Sequence, residues 1–195
     1  MAPHLLVFFA LFFAAAFVWP TWRLWKRDRV NALVLPSDDS AEGYVGRWFR
    51  IALVSIFVLL GALSLGLPVS SVGPLPWAEV PLVRLLGWTL LTLSLAWVVL
   101  AQAQMGASWR IGIDAASSPP LVTSGIFGLS RNPIFLGMRA SLLGLFLVLP
   151  NAVTLSILLS GEILIQVQVR LEERHLSAVH GSGYDGYRAG VGRWL

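Results

Sequence analysis

Cysteine is absent from all 195 residues, which rules out disulfides, thiolate metal sites and a cysteine nucleophile. Charge is scarce as well. Asp, Glu, Lys and Arg make up 12% of the chain, against about 25% in an ordinary soluble domain. No internal repeat or low-complexity tract is visible. Gly106 and Gly112 sit among apolar spans with no strand–turn–helix unit around them, so a doubly wound α/β domain is not expected. The formal net charge is +4, but the basic residues flank apolar runs and form no stripe suited to nucleic acid. What is plentiful is apolar surface, at 56% of residues. The composition is that of an all-α integral membrane protein with a single domain over residues 1–195.

Hydropathy and punctuation divide that domain. Met1–Trp22 is almost uncharged and long enough for a hydrocarbon core of about 30 Å. It has no basic start and ends in Trp19, Trp22 and Trp25, an interfacial anchor rather than a cleavage site, so it reads as a membrane helix and not a signal peptide. Residues 30–46, with Pro36, Asp38, Asp39 and Glu42, read as a polar loop. Trp48 and Arg50 then anchor a second span from Ile51 to about Leu67. A Pro- and Gly-rich loop, Pro68–Pro81, leads to a third span over Leu85–Met105. These three helices fill residues 1–105. Residues 106–195 form the second half, with a loop over 106–133, a tight helical hairpin over 134–169 that turns at Pro150-Asn151, and a tail helix over 170–195. About five membrane helices are expected. Nearly all Lys and Arg lie after span one, after span three and in the tail, so the positive-inside rule places the N-terminus outside and the C-terminus in the cytoplasm.

The segment Leu121–Gly137, LVTSGIFGLSRNPIFLG, is the densest punctuation in the chain. Thr123, Ser124, Gly125 and Gly128 mark turns, and Pro133 suits the first position of a new helix, where its missing N–H is no loss. Loose N–H groups beside a helix N-terminus favour a carboxylate, a phosphate or another polar ligand. By composition alone the same segment also reads as an interhelical loop with a helix cap.

A resemblance separates these readings. The segment resembles the cofactor motif of the isoprenylcysteine carboxyl methyltransferase family, related to the phospholipid N-methyltransferases, roughly LVTSGIY…RHPxYxG. The end of the chain resembles the same family's second motif, EExxLxxxFGxxYxxY…R, through Glu172, Glu173, Leu176, Gly181, Tyr184, Tyr187 and Arg193. The two occur in the right order over the C-terminal half. The resemblance implies S-adenosyl-L-methionine as methyl donor. It also implies cofactor contacts at Pro120, Leu121, Val122, Phe127, Asn132, Pro133, Ile134, Phe135 and Glu172, with Glu172 meeting the donor's amino group. Without the motif, Glu172 and Glu173 read as a solvated helix face pairing with Arg170 or Arg174. The chain departs from the family pattern at several positions. Asn132 stands in the histidine position and keeps a donor and an acceptor but cannot titrate near neutrality. Phe127 and Phe135 replace tyrosines, His180 replaces the phenylalanine before Gly181, and Gln168 replaces the arginine that the prenylcysteine enzymes carry before the Glu pair.

Charged and amide residues within the hairpin are the candidates for an acceptor site: Arg139, Glu162 and Gln168. Arg139 lies 11 residues before Pro150 and Glu162 lies 12 after it, so both sit about 17 Å down their helices and are expected to meet. Such a pair either fixes the hairpin register or presents Arg139 to an anionic acceptor. Tyr184 and Tyr187 are expected to pack the tail onto the cofactor loop, Trp109 to line the cofactor entrance, and His175 and His180 to be surface residues rather than metal ligands. The reading is an integral-membrane methyltransferase acting at the cytoplasmic face on a lipophilic acceptor, an isoprenylcysteine-like carboxylate, with membrane lipids as surroundings. A phospholipid amine or a small thiol are the alternative acceptors. The rival classes are a nicotinamide-dependent membrane reductase of the sterol-reductase type and a small transporter using Arg139 and Glu162 as a relay.

Overall fold

The computed structural model describes residues 1–29, 31–34, 38–112 and 119–195. Pro36 and the middle of the 106–120 stretch lie outside them. The described residues build an all-α membrane protein. Helices α1 (Ala2–Phe13) and α2 (Trp19–Asp28) are joined by a π-helical turn at Ala14–Val18. The cause is Pro20. It has no N–H to offer the carbonyl of Ala16 four residues back, and the ladder re-registers there. In lipid a released carbonyl needs a partner, and the amide of Gln102 donates to it from another helix.

Helix α3 (Ala41–Ser64) starts ten residues before the expected span. Ser40 caps it by accepting from the N–H of Gly43 at 3.0 Å, so the polar stretch read as loop forms its first turns. Helix α4 (Pro81–Met105) also starts earlier than expected, at a proline in its first turn. Helix α5 (Pro133–Val148) and helix α6 (Ala152–His180) form the hairpin. Asn151 accepts from the N–H groups of Val153 and Thr154 at 3.0 Å, and Thr154 Oγ1 accepts in return from Asn151, which closes a capping box at the start of α6. Helix α6 runs on through Arg170–His180, and a separate short helix α7 (Ser182–Gly190) carries the tail.

Four stretches are long and apolar enough to cross a membrane: Ala2–Arg27, Ala41–Ser64, Pro81–Ser108 and Ala152–His180. Helix α5 has 16 residues, about 24 Å at 1.5 Å per residue, and falls short of a core of about 30 Å. It is held instead by its neighbour: α4 and α5 are the closest-packed pair. Gly87, Gly137 and Gly144 make that approach possible, since a Cβ on any of them would strike Val148, Val98 or Leu91 across the interface. The main core gathers Leu5, Phe9, Leu60, Leu91, Leu145 and Ile157 from five helices. At one end of the bundle the Pro68–Pro81 loop meets the hairpin turn, where the N–H of Leu75 donates to Pro150 and that of Ala152 to Gly73. At the other end residues 32–34 pair with Ile111. The loops poor in basic residues thus share one end, and two of the basic segments share the other.

Candidate functional site

Three elements converge on the segment that punctuates the sequence. From α4, Trp97 Nε1 donates to the carbonyl of Pro133 at 2.8 Å, and Gln104 Oε1 accepts from the N–H of Ile126 at 2.9 Å. Ser108 Oγ donates to the carbonyl of Pro120 at 3.0 Å. Gly125 is needed at this turn: its φ is +64°, and a side chain there would collide with Gln104. Ile126 and Phe127 are buried against Ala101, with Val122 and Ile134 packed around them. The loop is therefore pinned to α4 by polar bonds and by a small apolar cluster.

The tail holds the opposite side. Tyr187 Oη donates to the carbonyl of Phe127 at 2.6 Å, and burial pushes this phenol up to about 12, so it stays a donor throughout the neutral range. Arg131 reaches the carbonyl of Val191 at 2.6 Å and Glu173 at 3.1 Å. Asn132 Nδ2 donates to Glu173 Oε1 at 3.0 Å and to the carbonyl of Arg193 at 3.2 Å. Arg193 grips the same carboxylate through Nε at 3.1 Å and through its terminal nitrogen at 2.7 Å. Glu173 is thus surrounded by two guanidiniums and an amide, and its side chain is only 9% exposed. It pairs with neither Arg170 nor Arg174, against the helix-face alternative.

Its neighbour differs sharply. Glu172 has one protein partner among the described residues, the amide of Gln168 at 2.9 Å, and no cation. The backbone N–H groups of Leu121, Val122 and Thr123 likewise meet no protein acceptor among the described residues. Pro120 is exposed, Leu121 and Val122 are half-buried, and Thr123 and Ser124 are exposed. A carboxylate lacking a cation, a row of unused N–H donors and adjacent apolar side chains suit a ligand with an ammonium group, acceptor atoms and a flat apolar part. That donor set fits S-adenosylmethionine.

The other expected site residues fall into place around these. Asn132 is buried, with its amide nitrogen committed to the tail; Pro133 is buried, and Ile134 and Phe135 are half-buried at the start of α5. Arg139 Nε donates to Glu162 Oε2 at 2.7 Å, the contact expected from their equal depth. Glu162 also accepts from Gln166, Gln166 accepts from Arg170, and the Arg139 guanidinium lies 4.3 Å over the ring of Trp194. Gln168 is buried and faces Glu172. Sequence reasoning missed the clamp of Arg131, Glu173 and Arg193, and the part Gln102 and Gln104 play. The signal was two amides in the last turns of an otherwise apolar helix.

The phospholipid methyltransferase family model matches residues 82–183, more than half of the chain, with α4 from its second residue, the loop and the hairpin. The chain belongs to the phospholipid methyltransferase family. It is a membrane methyltransferase, which sets aside the reductase and transporter readings. The match is to this broader family and not to its isoprenylcysteine subfamily. No curated protein and no solved structure matches the chain.

Proposed function

We propose that the chain methylates an already ionised group, an isoprenylcysteine-like carboxylate, on a lipophilic acceptor at the cytoplasmic face, with S-adenosylmethionine as donor. The observation that carries the reading is the division of labour in the Glu pair: Glu173 is saturated by protein, and Glu172 keeps a carboxylate without a cation. When bound, S-adenosylmethionine would supply an electrophilic methyl group on a sulfonium, with the neutral thioether as its leaving group. Glu172 holds the donor's ammonium, the N–H groups of Leu121–Thr123 meet its acceptor atoms, and the tail keeps the loop closed against water. The sequence position where the family carries histidine holds Asn132, whose amide nitrogen is already used. A carboxylate acceptor needs no base. A phospholipid amine, the second reading, is favoured by the family match and must first lose a proton.

The test supplies radiolabelled donor to protein in lipid nanodiscs, with either a farnesylcysteine analogue or phosphatidylethanolamine. Label that leaves as methanol in base identifies a carboxyl ester. Base-stable label in the lipid moves the assignment to the amine. No label from either acceptor, together with no binding of S-adenosylhomocysteine, removes the proposed donor. Reporters fused after Leu195 and within Ser70–Gly73 should give cytoplasmic and external signals respectively; matching signals would overturn the sidedness.

A further inference from the structure

Arg139 takes no part in the loop–tail clamp on Glu173, and its bonding is incomplete. Its Nε donates to Glu162 at 2.7 Å, while neither terminal nitrogen has a protein acceptor among the described residues. Their N–H groups are free in a helix at membrane depth, where an unmet donor is costly. They are also open to the surface. The side chain is 29% exposed, and these nitrogens are not among the sealed polar atoms without partners, which belong to Gln102, Arg131 and Tyr184. Two contacts fix where they point: Glu162 holds the Nε side, and Trp194 covers a face of the guanidinium at 4.3 Å. What remains is the terminal edge, a flat fork of two parallel N–H groups that matches a carboxylate. Its place is beside the donor segment. Phe135, a donor contact implied by the motif, lies one turn earlier on the same face of α5, about 6 Å nearer the helix start. Below the fork, Leu143 and Leu159 are 40% and 57% exposed and continue the hairpin face as an apolar lane.

We infer that Arg139 is the residue that recognises the acceptor: its terminal edge binds the carboxylate, and the acceptor's apolar part lies along Leu143 and Leu159. The inference rests on the carboxylate reading above and adds to it the side chain that tells acid from ester. Glu162 does not cancel this use, because it occupies the Nε side alone. The charges agree with it. The row Arg139, Glu162, Gln166 and Arg170, joined by bonds of 2.7, 2.8 and 2.8 Å, holds two cations against one anion. A bound carboxylate balances that row, and the neutral ester that methylation produces does not. Arg139 therefore favours the acceptor over the product, which leaves for the bilayer.

Calorimetry in detergent tests it, with S-adenosylhomocysteine bound so that no methyl is transferred. Three forms of one farnesylcysteine analogue are compared: the free acid, its primary amide and its methyl ester. The parent should bind the acid over either neutral form by about thirtyfold. Arg139→Gln combined with Glu162→Gln removes the fork and its partner together, and should bring that preference down to about threefold. Arg139→Lys keeps a cation for Glu162 without the flat edge, and should bring it to about fivefold whether or not the double variant folds. Both should bind S-adenosylhomocysteine like the parent, since Glu172 and the Leu121–Thr123 segment are untouched. A purely structural role would weaken acid, amide and ester alike, so an undiminished ratio in a variant that binds S-adenosylhomocysteine would overturn the assignment of Arg139. A parent that does not prefer the acid would overturn it too, and the labelling experiment then separates the two readings. Base-labile label from the parent would keep carboxylate methylation and remove Arg139 alone; its absence would remove both.

Discussion

Two charged regions of this protein sit side by side and are built differently. Around Glu173, partners from two separate stretches of chain converge on one carboxylate: Arg131 and Asn132 from the loop, and Arg193 from the tail. Around Arg139 the contacts run in line, from Trp194 to Arg139, Glu162, Gln166 and Arg170, with three of the five members on α6. The node closes a fold; the ladder decorates a hairpin. Consecutive residues of the tail divide between them, Arg193 to the node and Trp194 to the ladder. Removing the centre of a node strands every spoke at once, whereas a ladder that loses one rung can re-pair with the next.

The largest expected effect is therefore at the node. Glu173→Ala leaves Arg131 and Arg193 facing each other without their shared anion, and should cost about 3–5 kcal/mol. A fall in the thermal midpoint in detergent, with new protease cleavage in the 188–193 region, would show it. An unchanged midpoint would mean that the node is not what closes the tail. The ladder comes next. Arg139→Leu and Glu162→Leu, whose side chains are 29% and 35% exposed, should each lose about 1.5–3 kcal/mol, and the double Leu variant should recover most of it because no charge is left unpaired. If the recovered double variant methylates like the parent, the pair only sets hairpin register; if it folds and binds donor but is inactive, Arg139 belongs to the acceptor site.

Glu172 supplies the sharpest contrast with Glu173, one residue away. Glu172→Ala should leave the thermal midpoint near the parent's and weaken S-adenosylhomocysteine binding by about 1.5–3 kcal/mol, tenfold or more. Calorimetry in detergent reads this directly, and parental affinity in the variant would remove Glu172 from the donor site. The smallest effect belongs to Tyr187→Phe, at about 1 kcal/mol for one neutral hydrogen bond. Its pH dependence has a definite sign. The phenol is raised from 10.0 to about 12 in the folded protein, so its contribution is full below pH 10 and is lost as pH rises toward 12. The difference in midpoint between parent and Tyr187→Phe should shrink over that window; a constant difference would place the effect elsewhere.

Much of this architecture was legible in the amino-acid order. Apolar runs of membrane length, the loops between them, the hairpin at Pro150 and the meeting of Arg139 with Glu162 follow from composition, punctuation and a fixed rise per residue, all of which are local. Helix ends were legible only in part. Hydropathy marks the apolar middle of a helix, while the polar first turns of α3 depend on the Ser40 cap and the polar end of α6 continues for want of a breaker. The work of individual polar residues was decided by tertiary structure alone. Glu172 and Glu173 are chemically identical neighbours, but successive side chains on a helix point about 100° apart. Which of them meets the node depends on how α6 is rotated against a loop some 40 residues earlier and a tail 20 residues later. That rotation is set by packing between distant segments, as with Asn132, whose amide nitrogen is taken up by Glu173 and the carbonyl of Arg193 only because the tail folds back to reach it.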